Sequence, residues 1–256
     1  MNLKTSTGVE RLKPKVIEGE ELVRFGPRMA ENAEKFASKP CVIDEVETIS
    51  WSDFGDLIAR VAGRLQAMGI GPGDMVASLA ENSAMNVVMY AGVLYAGACM
   101  VPLPFSATED ALIKERADCG ATLLFTTKLY RETAEKLGAT QLVDLTGLRD
   151  WIGNAPAIDP VAVNDDDLFD MIYSSGTTGT PKGIVHDHLF RSRQFSRTSS
   201  YGLEEDGVLM MSTPLYSNTT LVAAIACLVR GATLVSMSKF NTVKFLELSE
   251  KHRATH

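Results

Sequence analysis

The residues with the most chemical meaning fall in one ten-residue stretch, Ser174-Ser175-Gly176-Thr177-Thr178-Gly179-Thr180-Pro181-Lys182-Gly183, which gathers five hydroxyls, three glycines and a lysine. Glycines let the backbone turn so that successive N–H groups converge on an anion, hydroxyls add neutral donors, and lysine adds a mobile positive charge. The combination suits a polyphosphate. On composition alone such a stretch also reads as a flexible linker. Its flanks argue otherwise: the apolar run Leu168-Phe169-Asp170-Met171-Ile172-Tyr173 leads straight in and Ile184-Val185 follows at once, so the stretch is expected at a hairpin tip beside a buried strand. A P-loop would need glycine before the lysine, where Pro181 stands, and the dinucleotide pattern Gly-x-Gly-x-x-Gly does not occur in the loop.

The elements that position this loop alternate along the chain. Phe54, Leu57, Ile58, Val61, Leu65 and Met68 recur at helical spacing until Gly69-Ile70-Gly71-Pro72-Gly73 stops them. A strand is expected at 75–79, then a helix capped by Glu81-Asn82-Ser83 and closed by Gly97, a strand near 99–101, a helix from Thr108 to Gly120, and a strand at 122–126. Beyond the loop, the pattern predicts a helix over 189–201, a strand at 208–211, a helix over 221–229, a strand at 233–235 and a helix over 242–252. Strands that are apolar throughout imply a mostly parallel, doubly wound sheet covered by helices on both faces, an α/β fold. Residues 153–167 are turn-rich and read as a linker, which sets the expected domains: 1–163 as a first α/β subdomain, and 164–256 as the loop with the beginning of a second, incomplete one.

Composition excludes several classes. A hydrophobic fraction of 45% and a charged fraction of 22% match a globular protein. The net charge of −7, with no long basic run, removes the electrostatic footing of nucleic-acid binders. Cys41, Cys99, Cys119 and Cys227 are scattered, without a Cys-x-x-Cys pair, and read as buried thiols. With no signal-peptide run at the start, a cytoplasmic location is expected. The segment 87–101 is almost wholly apolar, but Gly92, Gly97, Pro102 and Pro104 interrupt it below the ~20 residues of a bilayer span. A buried helix running into a buried strand is expected, with no transmembrane segment. His186 and His188 would share a face on a strand, yet no third ligand lies nearby, so no metal site is assigned. Asp165-Asp166-Asp167 reads as a turn before a strand, not a magnesium site, and the helix over 221–229 as core.

The segment Tyr173-Ser174-Ser175-Gly176-Thr177-Thr178-Gly179-Thr180-Pro181-Lys182-Gly183 resembles the signature of AMP-forming acyl-adenylating enzymes, which include acyl-CoA synthetases, peptide-synthetase adenylation domains and luciferases. Two weaker resemblances precede it in the family's order, at Ser50-Trp51-Ser52-Asp53-Phe54 and at Leu94-Tyr95-Ala96-Gly97-Ala98-Cys99-Met100-Val101-Pro102-Leu103. The resemblance implies a reaction in which a carboxylate attacks the α-phosphate of Mg·ATP to give an acyl-adenylate and pyrophosphate, after which a thiol, coenzyme A first among candidates, takes the acyl group. It implies that Ser174, Ser175, Gly176, Thr177, Thr178, Gly179 and Thr180 cradle the phosphates, with Thr178 and Lys182 taking part in catalysis and Lys182 neutralising the departing pyrophosphate. It also implies that Thr213-Pro214-Leu215-Tyr216-Ser217-Asn218 borders the carboxylate pocket, so that Tyr216, Ser217 and Asn218 bind the acid, although core packing is an equal reading of Tyr216. Many acyl-CoA synthetases carry histidine at or beside the position of Ser217, so the acid accepted here is left open.

Arg191, Arg193 and Arg197 read as a solvated helix face, with CoA phosphate contacts as the alternative. Family members are about twice as long, and their motifs for adenine, ribose and magnesium and their C-terminal lid follow the point reached here. The chain is therefore expected to be the front portion of a CoA ligase, inactive alone. A non-catalytic or complementing ATP-binding fragment, and an adenylation domain loading a carrier-protein thiol, are the alternatives. A homodimer is left open.

Overall fold

The computed structural model describes residues 22–174, 182–197 and 202–256. The chain begins with helix α1 (Phe25–Lys35), strands β1 (Pro40–Ile43) and β2 (Thr48–Ser50) and helix α2 (Trp51–Ala67). Alternation follows: β3 (Met75–Leu79), α3 (Ala84–Tyr95), β4 (Cys99–Pro102), α4 (Glu109–Cys119), β5 (Leu123–Thr126), α5 (Arg131–Lys136), β6 (Gln141–Asp144), α6 (Leu148–Ile152) and β7 (Leu168–Ser174). The rest comprises β8 (Lys182–Asp187), α7 (His188–Arg197), β9 (Val208–Met211), α8 (Asn218–Val229), β10 (Thr233–Ser236) and α9 (Thr242–His252).

Local chemistry sets the boundaries. Ser50 caps α2 by accepting from the Asp53 N–H at 3.1 Å, while its own hydroxyl bonds the Asp53 carboxylate at 2.7 Å, a reciprocal cap. Ser83 caps α3 and Thr108 caps α4 in the same way. Gly120 ends α4 at φ 68°, a left-handed turn that glycine adopts without steric cost. Asp167 Oδ2 accepts from the Asn164 N–H at 2.6 Å, so the acidic triplet does form a turn before β7.

Six strands form one sheet in the order β6-β5-β3-β4-β7-β8, parallel except for the antiparallel β7–β8 pair at the edge. The chain steps from β3 to β4 in one direction and then returns past β3 to β5. Because crossovers are right-handed, that reversal puts α3 and α4 on opposite faces. The packing agrees. Residues of α2, α3 and α6 join one core, and Leu112 and Cys119 of α4 with Ala134 of α5 join another.

A second sheet, β2-β1-β10-β9, takes its first two strands from the N-terminal region and its last two from the C-terminal region. The break expected at 164 therefore does not separate the sheets: β7 and β8 complete the first, and β1 and β2 belong to the second. Residues 153–167 are also not a loose connector. The Val161 N–H donates to Tyr95 O at 2.9 Å and the Ile158 N–H to Ala59 O at 3.3 Å, so this strap is bonded to α3 and α2. Its composition gave no sign of that, because backbone bonding to a distant helix is independent of the strap's own residue types.

The two sheets share one core. Val42, Ile49, Leu209 and Leu234 of the second pack in the same cluster as Val76, Met100 and Leu123 of the first, together with residues of α3 and α8. Every residue of α3 except Met85 is buried. A helix enclosed on all sides has no polar stripe, which explains why its sequence approaches membrane-like apolarity. Among the described residues no helix is long and apolar enough to cross a membrane. All four cysteines are buried.

Helix α3 approaches α2 closely at Gly92, where a Cβ would lie 2.4 Å from Val61 Cγ1 and 3.3 Å from Ile58 O. Gly92→Val is expected to destabilise the protein by roughly 1–3 kcal/mol or more through overpacking. Thermal unfolding reads the loss, and an unchanged midpoint would refute the close approach.

Candidate functional site

Strands β7 and β8 pair antiparallel in the register Tyr173↔Gly183 and Ser174↔Lys182, so the seven residues 175–181 connect the ends of a hairpin, as the flanking apolar runs predict. The expected phosphate-binding residues Ser175, Gly176, Thr177, Thr178, Gly179 and Thr180 lie outside the described residues, and Ser174 is described only as the last residue of β7. Lys182 opens β8 with an exposed side chain at the mouth of the hairpin.

One residue before Ser174, Tyr173 anchors the incoming strand. Its ring is buried against α4, and its hydroxyl lies 2.9 Å from Glu115 O and 2.7 Å from Asp118 Oδ2. Burial and the Asp118 bond push the phenol well above its ordinary range, so it remains a donor. Glu115 itself is 4% exposed, and burial raises its carboxyl to about 7. Its Oε2 has no partner among the described residues.

Ligands of open α/β sheets bind outside the carboxyl ends of the strands, where the strand order reverses. Here that place is the crest above β3, β4 and β5. Thr127 Oγ1 donates to Glu81 Oε2 at 2.5 Å across it. Phe105 stacks on Tyr130 with ring centroids 5.1 Å apart and meets Tyr216 edge-on at 4.9 Å. Ser106 Oγ and Tyr216 Oη are 3.0 Å apart. Asn82 donates to Thr213 O at 2.8 Å and accepts from the Leu215 N–H at 2.9 Å. The segment 213–218, which leaves the second sheet after β9, is thus fastened over the carboxyl end of the first. Tyr216, Ser217 and Asn218 therefore stand at the junction of the two sheets. Ser217 is the N-cap residue of α8, although its side chain makes no capping bond, and Asn218 is the exposed first residue of that helix.

A third group was not visible in the sequence as a unit. Asp170, fully buried in β7, accepts from Arg191 Nη2 at 2.6 Å and from Tyr90 Oη at 3.3 Å on Oδ2, and lies 2.6 Å from His186 Nδ1 through Oδ1. A carboxylate accepts only, so His186 carries its proton on Nδ1. Tyr90 is held protonated because burial, then the nearby Asp170, pushes its phenol far up. Arg191 was expected on a solvated face, yet it is fully buried. It reaches Gln194 Oε1 at 2.6 Å through Nη1 and Asn218 Oδ1 at 3.1 Å through Nη2. The signal lay in Asp170, a charge inside an apolar strand that requires a buried cation.

His186 and His188 do not share a strand face. His186 sits in β8, while His188 begins α7 and packs edge-on against Phe169 at 5.0 Å. Burial lowers the His188 imidazole to about 4 and keeps it neutral. Among the described residues no group of three His, Cys, Asp or Glu side chains is placed to hold a metal ion.

The profile of the family described as AMP-binding enzyme matches residues 29–256. The chain belongs to that family. It is 29% identical over 245 residues to 4-coumarate–CoA ligase 1 of Petroselinum crispum, covering 88% of this chain and 45% of that one. It is 30% identical over 218 residues to the long-chain-fatty-acid–CoA ligase FadD13 of Mycobacterium tuberculosis (strain CDC 1551 / Oshkosh), covering 80% and 43%. The chain thus spans less than half the length of these relatives. Among solved structures it resembles apo MatB from Rhodopseudomonas palustris, with a TM-score of 0.79 and 26% identity over 92% of this chain and 48% of that one. The N-terminal domain of FACL13 from Mycobacterium tuberculosis shares its fold, with a TM-score of 0.80 and 24% identity over 90% and 61%. The parallel sheet with helices on both faces is therefore the fold of an AMP-binding enzyme's N-terminal domain.

Two outcomes follow from the buried groups. Arg191→Met leaves Asp170 buried without its cation and is expected to cost about 3–5 kcal/mol in chemical unfolding, far more than an exposed arginine would. Glu115 has a folded pKa raised above its unfolded value, so its stabilising contribution is complete below about pH 4.5 and is lost as pH rises through about 7. Glu115→Gln should flatten that part of the stability–pH curve and add on the order of 1–3 kcal/mol above pH 7. A variant as pH-sensitive as the parent would contradict the assignment.

Proposed function

We propose that this chain is the N-terminal portion of an ATP-dependent ligase that activates a carboxylic acid as its acyl-adenylate and passes the acyl group to coenzyme A. The observation that carries the reading is the β7–β8 hairpin, whose ends Ser174 and Lys182 pair at the carboxyl end of β7 and are joined in sequence by the Ser/Thr/Gly-rich residues, together with a segment holding Tyr216, Ser217 and Asn218 at the junction of the two sheets. Names of relatives support the thiol: 4-coumarate–CoA ligases and a long-chain-fatty-acid–CoA ligase are CoA ligases by description. In this reading one carboxylate oxygen bonds to the α-phosphorus, the bridging P–O bond to the β-phosphate breaks, and pyrophosphate leaves with that electron pair. The thiolate sulfur then bonds to the acyl carbon and AMP departs.

The division of work among the residues follows from charge and place. Ser174, Ser175, Gly176, Thr177, Thr178, Gly179 and Thr180 supply N–H and O–H donors to phosphate oxygens, and Lys182 meets the growing charge on pyrophosphate. Magnesium enters as part of the Mg·ATP substrate. Tyr216, Ser217 and Asn218 orient the acid. Ser217 brings a small hydroxyl where many acyl-CoA synthetases carry histidine nearby, which leaves more room at the pocket entrance.

In the intact ligase of which this chain is the front portion, Lys182→Ala is expected to slow carboxylate-dependent ATP–pyrophosphate exchange roughly 10- to 150-fold, the equivalent of ~1.5–3 kcal/mol for a charge-assisted contact. Because Lys182 is exposed, unfolding midpoints should stay where they are. Exchange at the parental rate would remove Lys182 from the mechanism, and parental enzyme that exchanges pyrophosphate with no carboxylate tested would remove the ligase reading.

A further inference from the structure

The buried arginine has a consequence for what the acid pocket recognises. Arg191 Nη2 carries two hydrogens and has three neighbours: Asp170 Oδ2 at 2.6 Å, Asn218 Oδ1 at 3.1 Å and His186 Nδ1 at 3.1 Å. His186 Nδ1 already donates to Asp170 Oδ1, so it cannot also accept. The two hydrogens therefore go to Asp170 and Asn218. An arginine never accepts, so it admits only the oxygen of the Asn218 amide on its side and fixes the orientation of that amide. Asn218 is left with its NH2 group, two donors that bond to nothing among the described residues, on an exposed residue at the start of α8.

We propose, resting on the ligase reading above, that Arg191 is a positioning residue that holds the Asn218 amide as a hydrogen-bond donor in the acid pocket, and that the enzyme accordingly prefers carboxylic acids whose chain bears an acceptor oxygen. Arg191 is suited to this because its own position is fixed elsewhere. Asp170 and His186 belong to the two strands of the phosphate hairpin, and Tyr90 belongs to α3. Its guanidinium thus ties the part of the site that grips phosphate to the part that reads the acid. A hydrocarbon chain in the same place would strip water from the amide donors and return no bond, which is the kind of penalty that separates substrates differing by one polar group.

The test uses the intact ligase of which this chain is the front portion as the parent, and measures kcat/KM in ATP–pyrophosphate exchange for pairs of acids matched in length, one plain hydrocarbon and one carrying a hydroxy or oxo group. The parent should favour the oxygenated acid by about tenfold, and Asn218→Ala should bring the ratio to about one with KM for ATP unaltered. Asn218→Asp keeps an oxygen for Arg191 and adds a charge pair, so it should unfold no more easily than the parent, yet it lacks the donors and should lose the preference. Arg191→Lys, which keeps the charge but not the planar fork, should weaken the preference while KM for ATP holds. The inference fails if the parent favours the hydrocarbon, or if Asn218→Ala and Asn218→Asp keep the parental ratio. A parent inactive with every acid overturns the ligase reading and this inference together, whereas an active parent with an unmoved ratio overturns only this one.

Discussion

A carboxylate in the middle of an apolar strand sets the terms for its surroundings. Asp170 is fully buried in β7, one strand from the sheet edge, and an ionised group there is tolerable only if its lone pairs and its charge are both met. Meeting them recruits Tyr90 from α3, His186 from β8 and Arg191 from α7, and through Arg191 the first residue of α8. Five elements, from α3 to α8, thereby acquire one geometry. An apolar residue at 170 would pack with less risk, since removing either half of a buried ion pair leaves the other half stranded. What the pair gives in return is direction, because hydrogen bonds fix orientation in a way that side-chain volume does not.

Packing imposes a second constraint. α3 lies in the core that the two sheets share and has no solvent face, so its sequence is limited to residues that can be buried on every side, and at Gly92 to one with no side chain at all. The crest above β3, β4 and β5 inherits its rigidity from this. Asn82, just ahead of α3, bonds both Thr213 O and the Leu215 N–H, so a helix immobilised in the core steers a segment that leaves the other sheet.

Much of this was legible from residue order. The hairpin was readable because Leu168–Ser174 and Lys182–Asp187 flank a loop whose glycines and hydroxyls cannot extend either strand. Helix α2 announced itself through the spacing of Phe54, Leu57, Ile58, Val61 and Leu65, and α3 and α4 through Ser83 and Thr108 at their starts. What was hidden depends on distance. Nothing in Pro40–Ile43 says that its partner is Thr233–Ser236, and nothing in Arg191 distinguishes it from Arg193 two residues on, because facing inward is decided by Asp170 across the fold. The strap at 153–167 was misread for the same reason: its polar, turn-rich composition is compatible with solvent, and only its backbone bonds to Tyr95 and Ala59 reveal where it lies. The loop at 175–181 was the clearest feature of the sequence, and the described structure fixes its two ends.

The interleaving of the sheets also orders events as the polypeptide emerges from a ribosome. β1 is hydrogen-bonded along one side only by β2 until β10 arrives, and the bond from Thr233 Oγ1 to Pro40 O spans 193 residues. At ~5–20 residues per second of synthesis, the N-terminal strand pair waits on the order of 10–40 seconds with an exposed edge. An unpaired edge invites foreign strands. The first sheet needs no such delay, since β3, β4, β5 and β6 are made in succession and pair among themselves. Nascent chains of this kind would be most vulnerable to misassociation in the interval before β10 is made, when β3 to β6 can already pair and the second sheet is still open.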